Sequence, residues 1–233
     1  MKLLSVDNTK LKKSNIVGYY SVGLHLAPHL LSGYNTCKFS TPSCVKSCLN
    51  LSGMSSMSKI QQGRINKTKL FFENKDWFLN QLNVEIQYYN MMAKNENKQL
   101  SVRLNLTSDI DWQLELLNGK SLIELNSTIQ FYDYTKNYNK LSKFNNYDLT
   151  YSYDAINHKK VMKVLERGDR LAVVFDKANV NNWNGFECVD GDKHDMTFFQ
   201  PKDKILALKY KNICTKGFNN KENKLKSTLV VNV

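Results

Sequence analysis

Apolar positions along this chain recur with two different periods, and the switching between those periods predicts the fold. Ile16 to Leu26 is β-branched and aromatic and predicts a strand or hairpin, ended by Ala27-Pro28. Ser58 is expected to cap a helix in which Ile60, Ile65 and Leu70 sit among Lys59, Arg64, Lys67 and Lys69. A second helix is expected from Lys75 to Ala93, where Phe78, Leu82, Glu85, Ile86 and Tyr89 keep helical spacing. The pattern then alternates. Strands are predicted over Leu100 to Thr107, Ile129 to Thr135, Tyr147 to Ser152, Leu171 to Phe175, Phe186 to Val189 and Lys204 to Tyr210. Short helices fall at Ser121 to Leu125, Asn137 to Leu141 and His158 to Glu166, the last closed by Gly168. Leu171-Ala-Val-Val-Phe175 is almost purely apolar, as expected of a parallel strand covered on both faces.

Alternating strands and helices argue for an α/β fold. About six strand–helix units predict a partial, incomplete TIM-like barrel with mostly parallel strands, and a doubly wound sheet is the runner-up. No repeat or low-complexity linker divides the chain, so residues 1–233 are read as a single domain. Residues 1–15 are expected to be a loose arm and 214–233 a lysine- and asparagine-rich tail.

Parallel α/β folds bind ligands at the C-terminal ends of their strands. The residues there are His25, then Arg103, Asn105 and Asp109, then Asp133 and Tyr134, and finally Asp190 and Asp192. These eight are the candidates for binding a cofactor or substrate. Loops are also polar simply because they face solvent. Asp190-Gly191-Asp192 also makes a good turn. Arg103 and Asn105 share a face, either as a polar pair reaching the pocket or as part of a structural ion pair. His194 is a candidate proton donor or an ordinary surface histidine. No Gly-rich phosphate loop and no Gly-x-Ser-x-Gly elbow is present.

Composition narrows the classes. The chain has 233 residues, of which 42% are apolar, enough for a sizeable core. No apolar run reaches the ~18 residues of a membrane helix, and Met1-Lys-Leu-Leu-Ser-Val-Asp lacks a secretory core. An intracellular protein in the cytoplasm of an infected host cell is expected, where thiols stay reduced. The net charge of +12 fits attraction to nucleic acid, yet the lysines are spread along the whole chain.

Three of the five cysteines fall within Cys37-Lys-Phe-Ser-Thr-Pro-Ser-Cys44-Val-Lys-Ser-Cys48, a loop expected directly after the first strand. The spacing Cys-x6-Cys-x3-Cys does not fit the paired knuckles of structural zinc. Three thiolates with one position open suit a [4Fe-4S] cluster, whose fourth iron can take a substrate. Zinc with a fourth ligand and free buried thiols are the alternatives. Three functions compete: an iron–sulfur protein with a small-molecule pocket, a basic nucleic-acid-binding accessory protein with structural zinc, and a partner-binding domain with inert thiols.

Several of these segments together resemble a family of phage and mobile-element proteins named after a mycobacteriophage gene product, number eighty-eight. The resemblance runs through Leu24-His25-Leu-Ala-Pro28, Leu31-Ser-Gly33-Tyr-Asn-Thr-Cys37, Pro42-Ser-Cys44, Cys48-Leu-Asn and Thr68-Lys-Leu-Phe-Phe72. It continues through Arg103-Leu-Asn105, Phe131-Tyr-Asp-Tyr-Thr-Lys136, Ala172-Val-Val-Phe175 and Val189-Asp190-Gly191-Asp192. It implies a phage or mobile-element protein and no particular reaction. The layout, a cysteine loop after the first strand of an incomplete barrel, is loosely similar to radical S-adenosylmethionine enzymes. That likeness implies S-adenosylmethionine as a cofactor and a redox or radical reaction. The spacing departs from the Cys-x3-Cys-x2-Cys of those enzymes.

Overall fold

A computed structural model describes residues 1–6, 11, 18–51, 53–210 and 230–232. Short β1 (Leu4–Ser5) precedes β2 (Tyr19–Leu24), the first of the parallel strands. A long segment with the short helix α1 (Pro42–Lys46) leads to α2 (Ser58–Glu73) and α3 (Lys75–Asn95). Then come β3 (Gln99–Arg103), the small hairpin β4 (Leu116–Leu117) and β5 (Lys120–Ser121), and α4 (Leu122–Leu125). The second half holds β6 (Gln130–Thr135), β7 (Tyr147–Ser152), α5 (His158–Glu166) and β8 (Arg170–Phe175). It ends with β9 (Asn182–Trp183), β10 (Phe186–Asp190), β11 (Ile205–Lys209) and β12 (Val230–Val231).

Ten of these strands form one sheet in the order β1-β2-β3-β6-β7-β8-β11-β10-β9, with β12 also paired to β8. The central pairs are parallel, and only the edge pairs β1–β2 and β9–β10 are antiparallel. The mixed α/β class and the mostly parallel sheet agree with the sequence reading. The sheet is not closed. From β2 to β8 the order rises without the reversal that a doubly wound sheet requires. It turns back only where β11 lies between β8 and β10.

The alternation of side chains gives the sheet two unlike faces. Val22, Leu24, Val102, Leu104, Phe131 and Leu149 point to one face and form a core with Phe78, Leu79, Leu82 and Ile86 of α3. Leu171, Val173, Phe175 and Ile205 continue that face against Val161, Val164 and Leu165 of α5. The opposite face carries Ser21, Ser101, Arg103, Tyr132 and Thr150, all buried. Residues 194–200 run across it. Thr197 Oγ1 donates to Asp148 at 3.3 Å, Arg170 pairs with Asp148 and donates to Gln200 O, and Phe198 meets Tyr19 and Tyr132 edge-on. Gly23 is required on this face, because a Cβ there would stand 2.3 Å from Leu106 Cδ1.

Four sequence expectations need correction. The arm at residues 1–15 is not loose at its start: Leu3 and Leu4 are buried, and their N–H groups donate to the Glu85 carboxylate. Helix α2 begins at Ser58 itself, with Met57 in the capping position. The strand from Leu100 ends at Arg103 because the Asn105 amide bonds to Ile110 N and O and turns the chain. Residues 137–141 form a turn, since Thr135 Oγ1 and Asn137 Oδ1 capture the N–H groups of Asn137 and Asn139. Most of the tail at 214–233, with Cys214, lies outside the described residues.

Candidate functional site

A cavity of about 290 Å³ opens at the C-terminal ends of the parallel strands. The segment after β2 forms one wall and is tied to the strand ends by short bonds. Thr36 Oγ1 donates to Ala27 O at 2.7 Å, Thr107 Oγ1 to Leu26 O at 2.6 Å, and Asp109 N to Thr36 O at 2.8 Å. The second part of this segment is helical rather than loop. Thr41 caps α1 by accepting from Cys44 N at 3.2 Å, and Pro42 opens the first turn. Beyond α1, Arg64 of α2 donates to Asn50 Oδ1 and, at 3.0 Å, to Ser55 Oγ, holding the chain past Cys48.

Cys37, Cys44 and Cys48 all line this cavity and all are free thiols. They are close enough to act on one another: Cys37 and Cys44 each raise the cost of ionising Cys48. Burial is the main cause that pushes all three thiols up, Cys48 to about 11. Left to itself the site is therefore a group of neutral thiols. Hydrogen bonds and cations work the other way. His29 N donates to Cys37 Sγ at 3.4 Å, Lys136 favours the Cys44 thiolate, and Arg64 favours that of Cys48. Lys136 is itself pulled down by burial, and its Nζ donates to Ser152 O, Ser152 Oγ and Tyr153 O.

Of the eight strand-end candidates, Arg103, Asn105, Asp109, Tyr134 and Asp192 line the cavity with the three cysteines. Burial opposes the charge on Arg103, and Asp195 with Tyr134 and Tyr132 more than restores it. Burial raises Asp109, whose Oδ2 accepts from Lys136 N at 2.9 Å. Asp133, Asp190 and His25 are not among the cavity's lining residues. The Asp133 carboxylate sits on the helix side of the sheet, accepting from Asn105 N, Asn105 Nδ2 and Tyr147 OH, and burial raises it to about 7. Asp190 supports its own turn by accepting from Asp192 N at 2.8 Å. His25 is held neutral by burial beside Arg64, Lys67 and Arg103, with a pKa of about 3, and its Nδ1 is sealed from solvent.

Lys136 ends the strand that carries Asp133 and Tyr134 but is not among the eight candidates, and neither are the walls Leu106, Val174 and Leu208. Sequence reasoning missed the role of Asp195, which pairs with Arg103 across 92 residues. Of the basic residues on α2, Arg64 is buried and Lys67 Nζ donates to Leu3 O at 2.6 Å, whereas Lys59 and Lys69 are exposed.

A family model described as Gene product 88 matches residues 2–224. The chain belongs to the Gene product 88 family. The match spans both the segment with the three cysteines and every strand that lines the cavity. No curated protein and no solved structure matches the chain. Among the described residues, no helix is long and apolar enough to cross a membrane. Among the same residues, no three His, Cys, Asp or Glu side chains are grouped as for a single metal ion. A lone zinc ion draws its sulfur ligands to about 2.3 Å, whereas a cluster takes each thiolate on a different iron and spreads its ligands more widely.

Proposed function

We propose that this is an iron–sulfur protein of phage or mobile-element type, with a [4Fe-4S] cluster held by Cys37, Cys44 and Cys48 at the mouth of a partial barrel. One observation carries the reading: three mutually interacting free thiols line a single cavity at the ends of parallel strands. The rising strand order and the helices gathered on one face support the barrel. The donor set suits a cluster, because Lys136 and Arg64 offset part of the negative charge that three thiolates bring. The N–H of His29 is already aimed at Cys37 Sγ. Such a cluster supplies redox chemistry and leaves one iron open to a substrate or to S-adenosylmethionine. Asn105, Asp109, Tyr134 and Asp192 shape the space beside it. An enzyme built this way performs a redox or radical reaction.

Protein purified without oxygen, or reconstituted with iron and sulfide, is expected to be brown and to hold about four irons per chain. Cys37→Ser, Cys44→Ser and Cys48→Ser should each bleach it. Cys188→Ser should not, since Cys188 belongs to the core between the sheet and α5. A colourless protein retaining one zinc per chain overturns the cluster. S-adenosylmethionine added to the reduced protein should alter its paramagnetic spectrum if it is the cofactor; an unchanged spectrum leaves a redox protein without it.

A further inference from the structure

The floor of the cavity carries a guanidinium group whose two ends have different fates. Arg103 Nη1 donates to Asp195 Oδ1 at 2.8 Å and to Oδ2 at 2.7 Å. The guanidinium carbon lies 4.5 Å from the centre of the Tyr134 ring. Asp195 is fully buried and Arg103 is 9% exposed, so the pair is fixed. Arg103 Nε is sealed from solvent. Nη2 is not sealed, and no group among the described residues accepts from it.

Most neighbouring polar groups are already engaged, the Tyr134 hydroxyl being buried without a partner among the described residues. Lys136 Nζ has three acceptors, the Asn105 amide bridges Ile110 and Asp133, and Thr107 Oγ1 is spent on Leu26 O. Between them the walls are apolar, formed by Pro28, Leu106, Val174 and Leu208. Lys136, engaged as above, and the exposed Lys209 also line the cavity, so Arg103 is its one buried guanidinium. A largely apolar cavity with such an oriented donor selects a ligand with an apolar body and one anionic head. Asp195 already balances the Arg103 charge, and Asp109 and Asp192 offset Lys136 and Lys209 in the same cavity. That balance favours a singly charged, planar carboxylate over a doubly charged phosphate.

We infer that the cavity binds a small organic carboxylate, its head on Arg103 Nη2 and its apolar body against Leu106, Val174 and Leu208. The binding needs only the cavity; the molecule's role as substrate rests on the cluster reading above.

Calorimetric titration of the whole protein, purified without oxygen, tests this with a set of alkyl and aryl carboxylates, their primary amides, and inorganic phosphate. At least one carboxylate should bind ten times more tightly than its own amide. Arg103→Lys keeps a cation for Asp195 but loses the free N–H edge, and should lose that preference. Val174→Phe fills the apolar wall and should weaken the carboxylate and its amide alike. Equal binding of acid and amide, tighter binding of phosphate, or no binding at all overturns the inference. The comparison of acid with amide on unaltered protein decides even if Arg103→Lys does not fold. The spectrum of the same sample separates the two readings. A colourless protein that prefers carboxylate keeps this site and loses the cluster; a brown protein with no preference does the reverse.

Discussion

The two faces of the sheet are made by alternate residues of the same strands, yet they follow different rules. Toward the helices, Val22, Val102, Phe131 and Leu149 belong to one apolar cluster and Val173 to a second, with the buried Asp133 on the same side. On the other side, Ser21 bonds to Ser101 at 2.5 Å, Arg103 to Asp195, and Arg170 to Asp148. The first face tolerates any shape that fills space, because hydrophobic burial has no direction. The second depends on partners, because a buried polar group without one is costly. Apolar burial dominates one side, and Arg103, Tyr134 and Val174 reach the cavity from the other.

Substitutions on either face test this division, from the largest effect to the smallest. Phe131→Ala opens a hole beneath the helices and should cost about 4 kcal/mol in urea unfolding. Asp195→Ala should cost about 3 kcal/mol, because it leaves the Arg103 charge buried and unmatched. Adding Arg103→Met to Asp195→Ala should restore most of that loss, whereas no second polar change should rescue Phe131→Ala. If Asp195→Ala costs less than about 1 kcal/mol, the polar face is not held by its partners.

Acid and base should separate two groups further. Burial raises Asp133 to about 7, so the folded protein keeps a proton that the unfolded chain gives up. The stability from that proton is full below about pH 4 and is lost as pH rises through about 7. Burial lowers His25 to about 3, so its contribution is present above about pH 6.5 and is lost as pH falls toward 3. Asp133→Asn should make the urea midpoint climb more steeply with pH than in the natural protein, and His25→Gln less steeply. Parallel profiles for the two variants would contradict both assignments. Tyr134→Phe should have the smallest effect. Its hydroxyl is buried with no partner among the described residues, so removing it should be neutral or stabilising by up to about 1 kcal/mol. A marked loss of stability in thermal unfolding would mean the hydroxyl has a partner.

The strands were legible because a period of two survives wherever one side of a strand is buried, as in Tyr147–Ser152. The cysteine cluster was legible because its members lie close in sequence. Thr41 and Pro42 mark the start of helix α1 in the sequence, although this segment is expected there as a loop. The partner of Arg103 was not legible. Nothing local marks Asp195 as different from Asp190 or Asp192, and only the packing of residues 194–200 across the sheet selects it. The position of Lys136 at a strand end was legible, but its burial, as one cation among 33 lysines and arginines, depends on the fold. The place of β11 between β8 and β10 reverses an order that the sequence presents as regular.

That reversal governs timing during synthesis. A chain made from its N-terminus exposes the three cysteines early, while the residue that holds Arg103 and the strand that carries Leu208 come much later. β10 leaves the ribosome before β11 and has no parallel neighbour until β11 arrives to join it to β8. Such a long-range closing step is slow compared with forming local helices. The thiols therefore stand open to the cell, without a finished floor beneath them, until the final third of the chain has been made.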